Sequence, residues 1–504
     1  MAHRREHRLV EELPLFGGIL LGLLGLWWRG QALVLDGRVS GYHWPDWLFG
    51  AWNHAHGRHH MLDPFRQPLH SALVGALEGW TGLLDGALLL AGLSMVAVVM
   101  ATGLSVRLAA GTWAGALAAA AIPWSPVATS GARWGNGYPL LTGAVAVGIA
   151  ATLWATRRSS TWTLALAGTA AMVATMADDR GLLLLVVVLP VVAREALASW
   201  RGRGLVVVLL LGAFIGTRAA PWLGQSHSLT ASDKRQVQTR VVSRWTTDSK
   251  DTAMVSACRP IAQETLLTPA FLATRCARQV IRHNVQQAIP GTSAWPLWLL
   301  GLGLFGFVSP RLRANDTAPL LAGGVLLATA STVAWTPLPA RYQLVYTPLT
   351  GLLLPLAFGW RLPERLQPTV AVALLALTAL ADPHHHDRHP TKGIDARWLQ
   401  PSDIAEMVRR RLSPEVPVRD CAGTYAELAL LPDHTGPMGP ELSIPDAEPC
   451  LHWLQGTPPR GMVVRPGRTL PGRHGTVDIS EAVSQTEGWQ RVASGAGVEL
   501  WSRP

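Results

Sequence analysis

Charged side chains are scarce in this 504-residue sequence, where Asp, Glu, Lys and Arg make up 15% of the residues and hydrophobic residues make up 49%. The mean hydropathy of +0.22 is too high for an ordinary soluble enzyme and too low for a chain made of membrane spans alone. The sequence therefore predicts a membrane domain together with a soluble part.

Lysine is also scarce, occurring only at Lys234, Lys250 and Lys392. The formal net charge of +10 comes from arginines dispersed at the ends of apolar stretches. The sequence pattern predicts no basic helix and shows no RNA-binding signature, so this charge indicates membrane topology and argues against a nucleic-acid partner.

Long apolar stretches dominate the first three quarters of the chain, and they predict about eleven spanning helices. They lie near residues 14–35, 83–105, 109–127, 139–156, 161–177, 181–197, 204–221, 295–309, 317–337, 342–360 and 367–382. The first stretch follows a basic N-terminus and has no small-residue cleavage site after it, so we expect an uncleaved span.

Arginine-bearing connectors alternate with longer polar segments between these stretches. The connector arginines are Arg107, Arg157, Arg158, Arg194, Arg201, Arg203, Arg311, Arg313, Arg361 and Arg365. Because cytoplasmic loops are enriched in Arg and Lys, we expect the N-terminus in the cytoplasm. Segments 36–82 and 222–294 and the tail from 383 would then lie outside. A bacterial inner membrane, with a spanning domain over 1–382 and a soluble domain over 383–504, is the predicted arrangement.

Cysteine is nearly absent, and its four positions all fall in segments predicted to lie outside. Cys258 and Cys276 share the second long segment, and Cys421 and Cys450 share the tail. Pairing within segments predicts two disulfides in an oxidising compartment. Four unrelated thiols are the alternative.

The tail has the pattern of a small folded domain. A His-rich linker, with histidines at 384–386 and 389, precedes an amphipathic helix over 402–412 and β-like stretches at 461–464 and 498–501. We expect a mainly α membrane bundle followed by a small extracytoplasmic α/β domain.

The first outer segment is rich in acids and aromatics. Asp36 and Asp46 are candidate general bases for an acceptor hydroxyl, and solvated aspartates in turns are the alternative. The aromatic residues Tyr42, Trp44, Trp47 and Trp52 have the composition of interfacial anchors, and residues 47–56 predict a helix lying along the membrane surface.

Three stretches resemble the GT-C class of polytopic glycosyltransferases, including protein O-mannosyltransferases and the lipid A aminoarabinose transferase. They are DPFRQPLHSALVGAL at 63–77, MADDRGLLLLVVVLPVV at 176–192 and PARYQLVYTPLTGLLLPL at 339–356. The C-terminal GWQRVASGAGVELWSR is also similar to theirs. The resemblance covers the whole architecture, but the acidic pair expected in the first loop is absent. The Trp-Trp-Asp motif of oligosaccharyltransferases is absent too, which argues against that subgroup.

The resemblance implies a glycosyltransferase that moves a sugar from a polyprenyl-phosphate donor to an outer-face acceptor, which would be a glycan, lipid or protein. Asp46 or Asp36 would be the base, and the Arg341–Tyr342 pair at the start of a late span would bind substrate. The alternatives are a transporter or flippase for a lipid-linked glycan, and a non-catalytic scaffold of the same architecture. The near absence of acids in the spans counts against ion-coupled transport.

Arginines at the outer ends of spans are contrary to the positive-inside rule, so their presence there suggests a specific role. They are Arg133, Arg180, Arg218 and Arg341. Gathered around one cavity, they would bind a lipid-linked phosphate through bidentate hydrogen bonds. The alternatives are contact with lipid headgroups or pairing with nearby acids, and Asp178 and Asp179 beside Arg180 are such acids.

A histidine cluster at positions 54, 56, 59 and 60 raises the question of a metal. Gly57 interrupts its helical spacing, and the spacing alone shows no acidic ligands. The sequence assigns no metal ligand, and assistance by a divalent ion is left open.

Overall fold

The structure is a computed structural model that describes most of the chain. The described residues are 2–35, 44–55, 57, 67–81, 83–132, 135–158, 160–223, 231–247, 251–292, 294–295, 297–307, 317–334, 344–381, 401–413, 415–422, 447–467, 469–472, 475–495 and 497–504. Most of them are helical, and strands occur after residue 417.

Helices, most of them apolar, build the chain up to residue 381. In order they are α1 (Ala2–Leu35), α2 (Trp44–Ala55), α3 (Leu69–Thr81), α4 (Leu83–Ala110), α5 (Thr112–Ala121), α6 (Pro126–Gly131), α7 (Tyr138–Arg157), α8 (Thr161–Ala177), α9 (Leu183–Ala198), α10 (Trp200–Thr217), α11 (Ala231–Thr247), α12 (Thr252–Cys258), α13 (Arg275–His283), α14 (Ile289–Thr292), α15 (Leu297–Phe307), α16 (Thr317–Val333), α17 (Thr347–Arg361) and α18 (Gln367–Ala381). Each predicted apolar stretch contains helix. Among the described residues, five segments are long and apolar enough to cross a membrane: Glu11–Gly30, Asp85–Ala110, Tyr138–Arg157, Asp179–Ala198 and Trp200–Thr217. The polytopic helical architecture is confirmed.

Small residues let the spanning helices approach closely. A Cβ on Gly18 of α1 would collide with the backbone of Ala116 in α5, and a Cβ on Gly22 would lie 2.5 Å from the carbonyl oxygen of Ala119. Lipid gives little hydrophobic drive for helix association, so such close van der Waals contact is what holds neighbouring spans together.

The predicted continuous span over 109–127 is wrong, because the helix is interrupted. α5 ends at Ala121, a 3₁₀ turn covers Ile122–Trp124, and α6 begins at Pro126. Pro123 has no backbone N–H and cannot continue the α-helical hydrogen bonding. The Ser125 side chain instead accepts from the backbone N–H of Ala128 and caps α6.

Two contacts show which helix ends share a side of the bundle. Glu12 near the start of α1 forms an ion pair with Arg107 at the end of α4. The side-chain amide of Asn284 donates to the backbone carbonyl of Val333, the last residue of α16, over 2.9 Å. Both contacts join helix ends that the arginine alternation places on a common side.

The helix predicted over 47–56 is present as α2, and its position along the membrane surface stays a prediction. The expectation that its Trp47 and Trp52 are interfacial anchors is wrong. Trp47 and Trp52 are only 3% and 5% exposed, so they are interior side chains and not interfacial anchors. Small residues bring α2 against α3, since a Cβ on Gly75 would lie 2.7 Å from the carbonyl oxygen of Ala51. This close packing buries α2.

Residues 231–288 form a helical subdomain with its own core. Helices α11, α12 and α13 enclose buried Met254, Phe271 and Val280. A disulfide joins Cys258 to Cys276, with the two Cα atoms 4.6 Å apart. The disulfide predicted in the second long segment is confirmed.

The tail contains a four-stranded sheet with the order β1-β2-β6-β5 and a separate β3-β4 hairpin. β1 is parallel to β2, and the other neighbours are antiparallel. Its elements are α19 (Pro401–Arg411), β1 (Val418–Asp420), α20 (Ala447–Leu454), β2 (Arg460–Val464), β3 (Thr469–Gly472), β4 (Gly475–Asp478), α21 (Ile479–Gln485), β5 (Gln490–Gly495) and β6 (Val498–Arg503).

Alternation along the strands gives this sheet two buried faces. Val463 and Leu500 pack with Val408 of α19 on one face. Met462 packs with Trp489 on the other face. The Cys421–Cys450 disulfide lies in that second cluster, so the second predicted disulfide and the α/β character of the tail are both confirmed.

Candidate functional site

A short turn between α8 and α9 carries three charged residues at one end of the bundle. Asp178 caps a 3₁₀ turn over Asp179–Leu182, because its Oδ1 accepts from the backbone N–H of Arg180 at 2.9 Å. Gly181 permits this turn, since a Cβ there would collide with the backbone of Ala174. The local sequence therefore fixes Asp179 and Arg180 close against the end of α8.

A long-range hydrogen bond ties this turn to the segment before α3. Gln67 Nε2 donates to Asp179 Oδ1 at 2.8 Å, and Gln67 is 5% exposed. The buried Gln67 Oε1 has no hydrogen-bond partner among the described residues. The bond holds one Asp179 carboxylate oxygen against the first outer segment.

Aromatic rings connect the same turn to α2. The Arg180 Cζ lies 5.6 Å from the ring centre of Tyr138, the first residue of α7. The Tyr138 ring is 5.9 Å from Trp47, and Trp47 is 5.0 Å from His70 of α3, both in edge-on arrangements. A cation near a ring face is attracted by the ring quadrupole. The rings of Tyr138, Trp47 and His70 therefore pack one against the next beside Arg180.

Glycine makes the approach of α2 to α7 possible. A Cβ on Gly137 would lie 2.6 Å from the ring carbons of Trp47. The Asn136 side chain accepts from the backbone N–H of Tyr138 at 3.1 Å and fixes the start of α7. The packing of these rings therefore depends on the sequence Asn136-Gly137-Tyr138.

The charged groups here are only partly buried. The side chains of Arg180 and Asp178 are 33% and 22% exposed, and their closest charged atoms are 3.9 Å apart. The pairing expected as an alternative for Arg180 is thus present, but it is long for a charge-assisted hydrogen bond. A partly exposed guanidinium next to two acidic residues in the sequence can still donate hydrogen bonds to a phosphate oxygen from its open side.

All predicted site residues except Arg218 fall into three groups. The structure brings Asp178, Asp179 and Arg180 together. It places Asp46 on the described helix α2, one residue before Trp47. Four predicted residues lie outside the described part of the chain: Asp36, Arg133, Arg341 and Tyr342.

Arg218 contacts an aromatic ring of its own helix. It follows α10 and is exposed, and its guanidinium lies 5.8 Å from the ring centre of Phe214 on that same helix. This is a cation–π contact with the preceding turn of its own helix. Its predicted role in substrate binding stays a prediction.

Sequence reasoning missed Gln67, His70 and Tyr138 as members of the site. The first two lie inside the stretch DPFRQPLHSALVGAL, which carried the family resemblance, so that stretch contained a signal. Tyr138 had no such signal. Sequence reasoning also did not single out Arg29, a 6% exposed arginine near the end of α1 with its Cζ 4.8 Å from the ring centre of Trp124.

Within the described residues, no group of three or more His, Cys, Asp or Glu side chains is arranged to hold a metal ion. His54 of the histidine cluster is described, and His56, His59 and His60 are not. Assistance by a divalent ion therefore stays open.

Comparison with solved structures identifies the fold class as GT-C. The chain is similar over 98% of its length to ArnT from Cupriavidus metallidurans bound to undecaprenyl phosphate, with a TM-score of 0.58, 16% identity and 97% of that chain covered. The architecture expected from the sequence resemblance is confirmed.

Two further structures match more weakly. ArnT from Cupriavidus metallidurans in the apo state gives a TM-score of 0.42 at 13% identity, covering 94% of this chain and 97% of that one. The Archaeoglobus fulgidus oligosaccharyltransferase in complex with Zn and sulfate gives 0.42 at 13% identity, covering 74% of this chain and 52% of that one. No protein-family model and no curated protein matches the chain.

Proposed function

We propose that this protein is a membrane glycosyltransferase that takes a sugar from a polyprenyl-phosphate donor. It transfers that sugar to a glycan, lipid or protein acceptor on the extracytoplasmic face. The observation that carries the proposal is the charged turn at Asp178–Arg180, held against Gln67 and Tyr138. This turn lies in a fold shared with ArnT bound to undecaprenyl phosphate.

The charges of the turn suit the two events of a sugar transfer, which are removal of the acceptor proton and departure of the donor phosphate. A carboxylate takes the proton from the acceptor hydroxyl as its oxygen attacks the anomeric carbon of the sugar. The bond from that carbon to the donor phosphate oxygen breaks, and the polyprenyl phosphate leaves with the electron pair. The Arg180 guanidinium would stabilise the negative charge that develops on the leaving phosphate. Direct displacement would invert the anomeric configuration.

Asp46 is the base we favour. It precedes Trp47 on α2, and the Trp47 ring contacts Tyr138 beside Arg180. Asp179 is the second candidate, because its carboxylate lies in the site and is held by Gln67. Asp178 suits the role less well, since its Oδ1 caps the turn. Asp36 stays a candidate base on the sequence argument alone.

We place the site on the extracytoplasmic face of a bacterial inner membrane. The arginine alternation supports this orientation, because Arg107 ends α4 on the side opposite the end of α8. Exposed tryptophans lie at both ends of the spans, as expected for two membrane interfaces: Trp27, Trp28, Trp80, Trp222 and Trp298 on the proposed outer side, and Trp162 and Trp200 on the inner side. The two disulfides suit an oxidising compartment outside.

The test is sugar transfer by purified full-length protein with a panel of undecaprenyl-phosphate sugars. Wild type is compared with Asp36→Asn, Asp46→Asn and Asp179→Asn, with Asp233→Asn on exposed α11 as the matched control. We expect turnover that is lost in one site variant and kept in the control. An equal rate in all five proteins would overturn the assignment of the base.

The same experiment separates the competing functions. A flippase would move a donor across a vesicle membrane without consuming it, and its rate would not depend on Asp46. A non-catalytic scaffold would bind donor without turnover by any variant. Either result, obtained with folded protein, would contradict the proposed transferase.

A further inference from the structure

The helical subdomain (residues 231–288) carries a charge surplus that the proposed active site does not use. The second long segment, 222–294, contains nine Lys or Arg residues and four Asp or Glu residues. Of the basic residues, Arg275, Arg278 and Arg282 lie on α13 and are all exposed. This density of positive charge is unusual for a segment placed outside the membrane.

The three arginines form one face of α13. Spacings of three and four residues bring side chains to the same side of a helix. The opposite side carries Cys276 and Val280, both 0% exposed and part of the subdomain core. Since the disulfide and the core fix the buried side, the basic face must point away from the subdomain.

The end of this basic face lies at the level where a spanning helix ends. Asn284, two residues after Arg282, is fully buried and donates to the carbonyl of Val333 at the end of α16. α13 has nine residues, and at about 1.5 Å per residue its whole length stays within roughly 14 Å of that level. The basic face is therefore within reach of the membrane surface.

An exposed apolar side chain follows the basic face. Val285 is 38% exposed and lies in the π-helical turn Asn284–Ala288, which begins directly after α13. Exposed apolar residues next to basic ones are typical of helices that lie in a membrane interface. The segment that follows the basic face of α13 thus presents an apolar side chain near the level where α16 ends.

We propose that the basic face of α13 (Arg275, Arg278 and Arg282) docks on anionic lipid headgroups of the membrane in which the bundle sits. Guanidinium groups bind phosphate oxygens, and basic residues near a surface of anionic lipid are attracted to it. Docking would hold the helical subdomain against the bilayer. This inference does not depend on the proposed transferase activity.

The test measures how close residue 285 comes to the headgroups. Full-length Val285→Cys protein, labelled with a fluorophore, is placed in nanodiscs of phosphatidylcholine alone or mixed with phosphatidylglycerol. A headgroup-attached nitroxide lipid then quenches the fluorophore according to distance. We expect stronger quenching in the anionic nanodiscs and its loss when salt is raised, because salt screens exposed charges.

Charge removal on α13 supplies the decisive comparison. The Arg275→Gln/Arg278→Gln/Arg282→Gln variant should lose the added quenching, with the ratio of docked to undocked protein falling on the order of a hundredfold. The matched control removes three exposed arginines from α19 (Arg409→Gln/Arg410→Gln/Arg411→Gln) and should keep it. An intact Cys258–Cys276 disulfide and normal gel-filtration elution show that each variant is folded.

Three outcomes would overturn the proposal. Equal quenching in both kinds of nanodisc would show that anionic lipid has no part in it. Equal loss of the added quenching in the α13 and α19 variants would show that it depends on net charge and not on the face of α13. Competition by inorganic phosphate, at an ionic strength matched with chloride, would show that the face binds a soluble phosphate group and does not dock on the membrane.

Discussion

The side-chain amide of Gln67 and the carboxylate of Asp179 are joined by a 2.8 Å hydrogen bond across 112 positions of sequence. The bond connects the segment before α3 with the turn between α8 and α9, and so it brings the first outer segment to the charged turn. It also holds one carboxylate oxygen of Asp179 in place.

Gln67→Ala should lower kcat/KM for sugar transfer by about tenfold to a hundredfold, because a buried hydrogen bond to a charged group is lost. Turnover of an undecaprenyl-phosphate sugar checks this. The matched control is Gln367→Ala, which removes a buried glutamine whose amide donates to the Leu362 carbonyl at 3.0 Å. Unchanged transfer by Gln67→Ala would show that the Gln67–Asp179 bond has no part in the reaction.

Arg180→Lys should weaken binding of undecaprenyl phosphate by about tenfold, since lysine keeps the charge but loses the bidentate fork and the flat contact with Tyr138. Arg180→Ala should weaken it further. Equilibrium binding to detergent-solubilised protein measures both. Arg259→Lys, at an exposed position after α12, serves as the control, and equal affinity of Arg180→Lys and wild type would refute a phosphate role for Arg180.

Gly137→Ala should destabilise the protein by about 1–3 kcal/mol and reduce transfer, because the new Cβ would sit 2.6 Å from the buried Trp47 ring. Displacing Trp47 would move α2, on which Asp46 lies. Gly92→Ala in α4 is the control, since a Cβ there meets nothing within 4 Å. Thermal unfolding and transfer are measured together, and matching values for the two variants would contradict the packing argument.

Cys258→Ala/Cys276→Ala should destabilise the helical subdomain by about 3 kcal/mol, because the disulfide closes a short loop in the unfolded chain. Limited proteolysis followed by mass spectrometry should show new cleavage within 231–288. The fragment pattern of the tail, which has its own disulfide at Cys421–Cys450, should stay as in wild type. Cleavage spread evenly over both regions would mean that the two cores are not independent.

Glu499 should make the β5–β6 pair sensitive to acid. Desolvation raises the pKa of its carboxyl group, but hydrogen bonds from Arg491, Trp501 and Ser480, together with the Arg491 charge, bring the pKa below its ordinary value of 4.5. A depressed folded-state pKa gives stability that is present above pH 4.5 and lost as the pH falls through the folded pKa.

Hydrogen exchange of the peptide 490–503 in full-length protein measures this sensitivity. Its protection, corrected for intrinsic exchange rates, should fall between pH 5 and pH 3 in wild type. Glu499→Gln should be less protected at pH 5 and should change less over the same interval. An equal acid response in both proteins would assign the effect to other carboxylates.

Much of the architecture could be predicted from the sequence because its signals are local. Apolar stretches of spanning length and the arginines between them determine the spans and the alternation of sides. The cysteine pairs followed from that alternation, and both disulfides are present. The strands of the tail followed from short β-like runs. The interrupted span at Pro123 was missed, although proline is itself a local signal.

The candidate site was only partly predictable, since its contacts join distant segments. Asp178, Asp179 and Arg180 were found because they are adjacent and lie at the end of a span. Gln67 and Tyr138 join them through long-range packing that no local pattern encodes. The burial of Trp47 and Trp52 on α2 is a similar case, because aromatic side chains suit a membrane interface as well as a protein interior.

The sequence by itself determined a polytopic membrane protein of GT-C architecture, with cysteines paired within two segments and a small α/β tail. Hydropathy, charge position and cysteine position are properties of the chain read in order, so they need no knowledge of contacts. Only the tertiary structure decided that α2 is buried against α3, that Gln67 holds Asp179, and that the arginines of α13 form one exposed face. Those features depend on which distant surfaces fit together, and close contacts at glycines such as Gly75 and Gly137 set that fit.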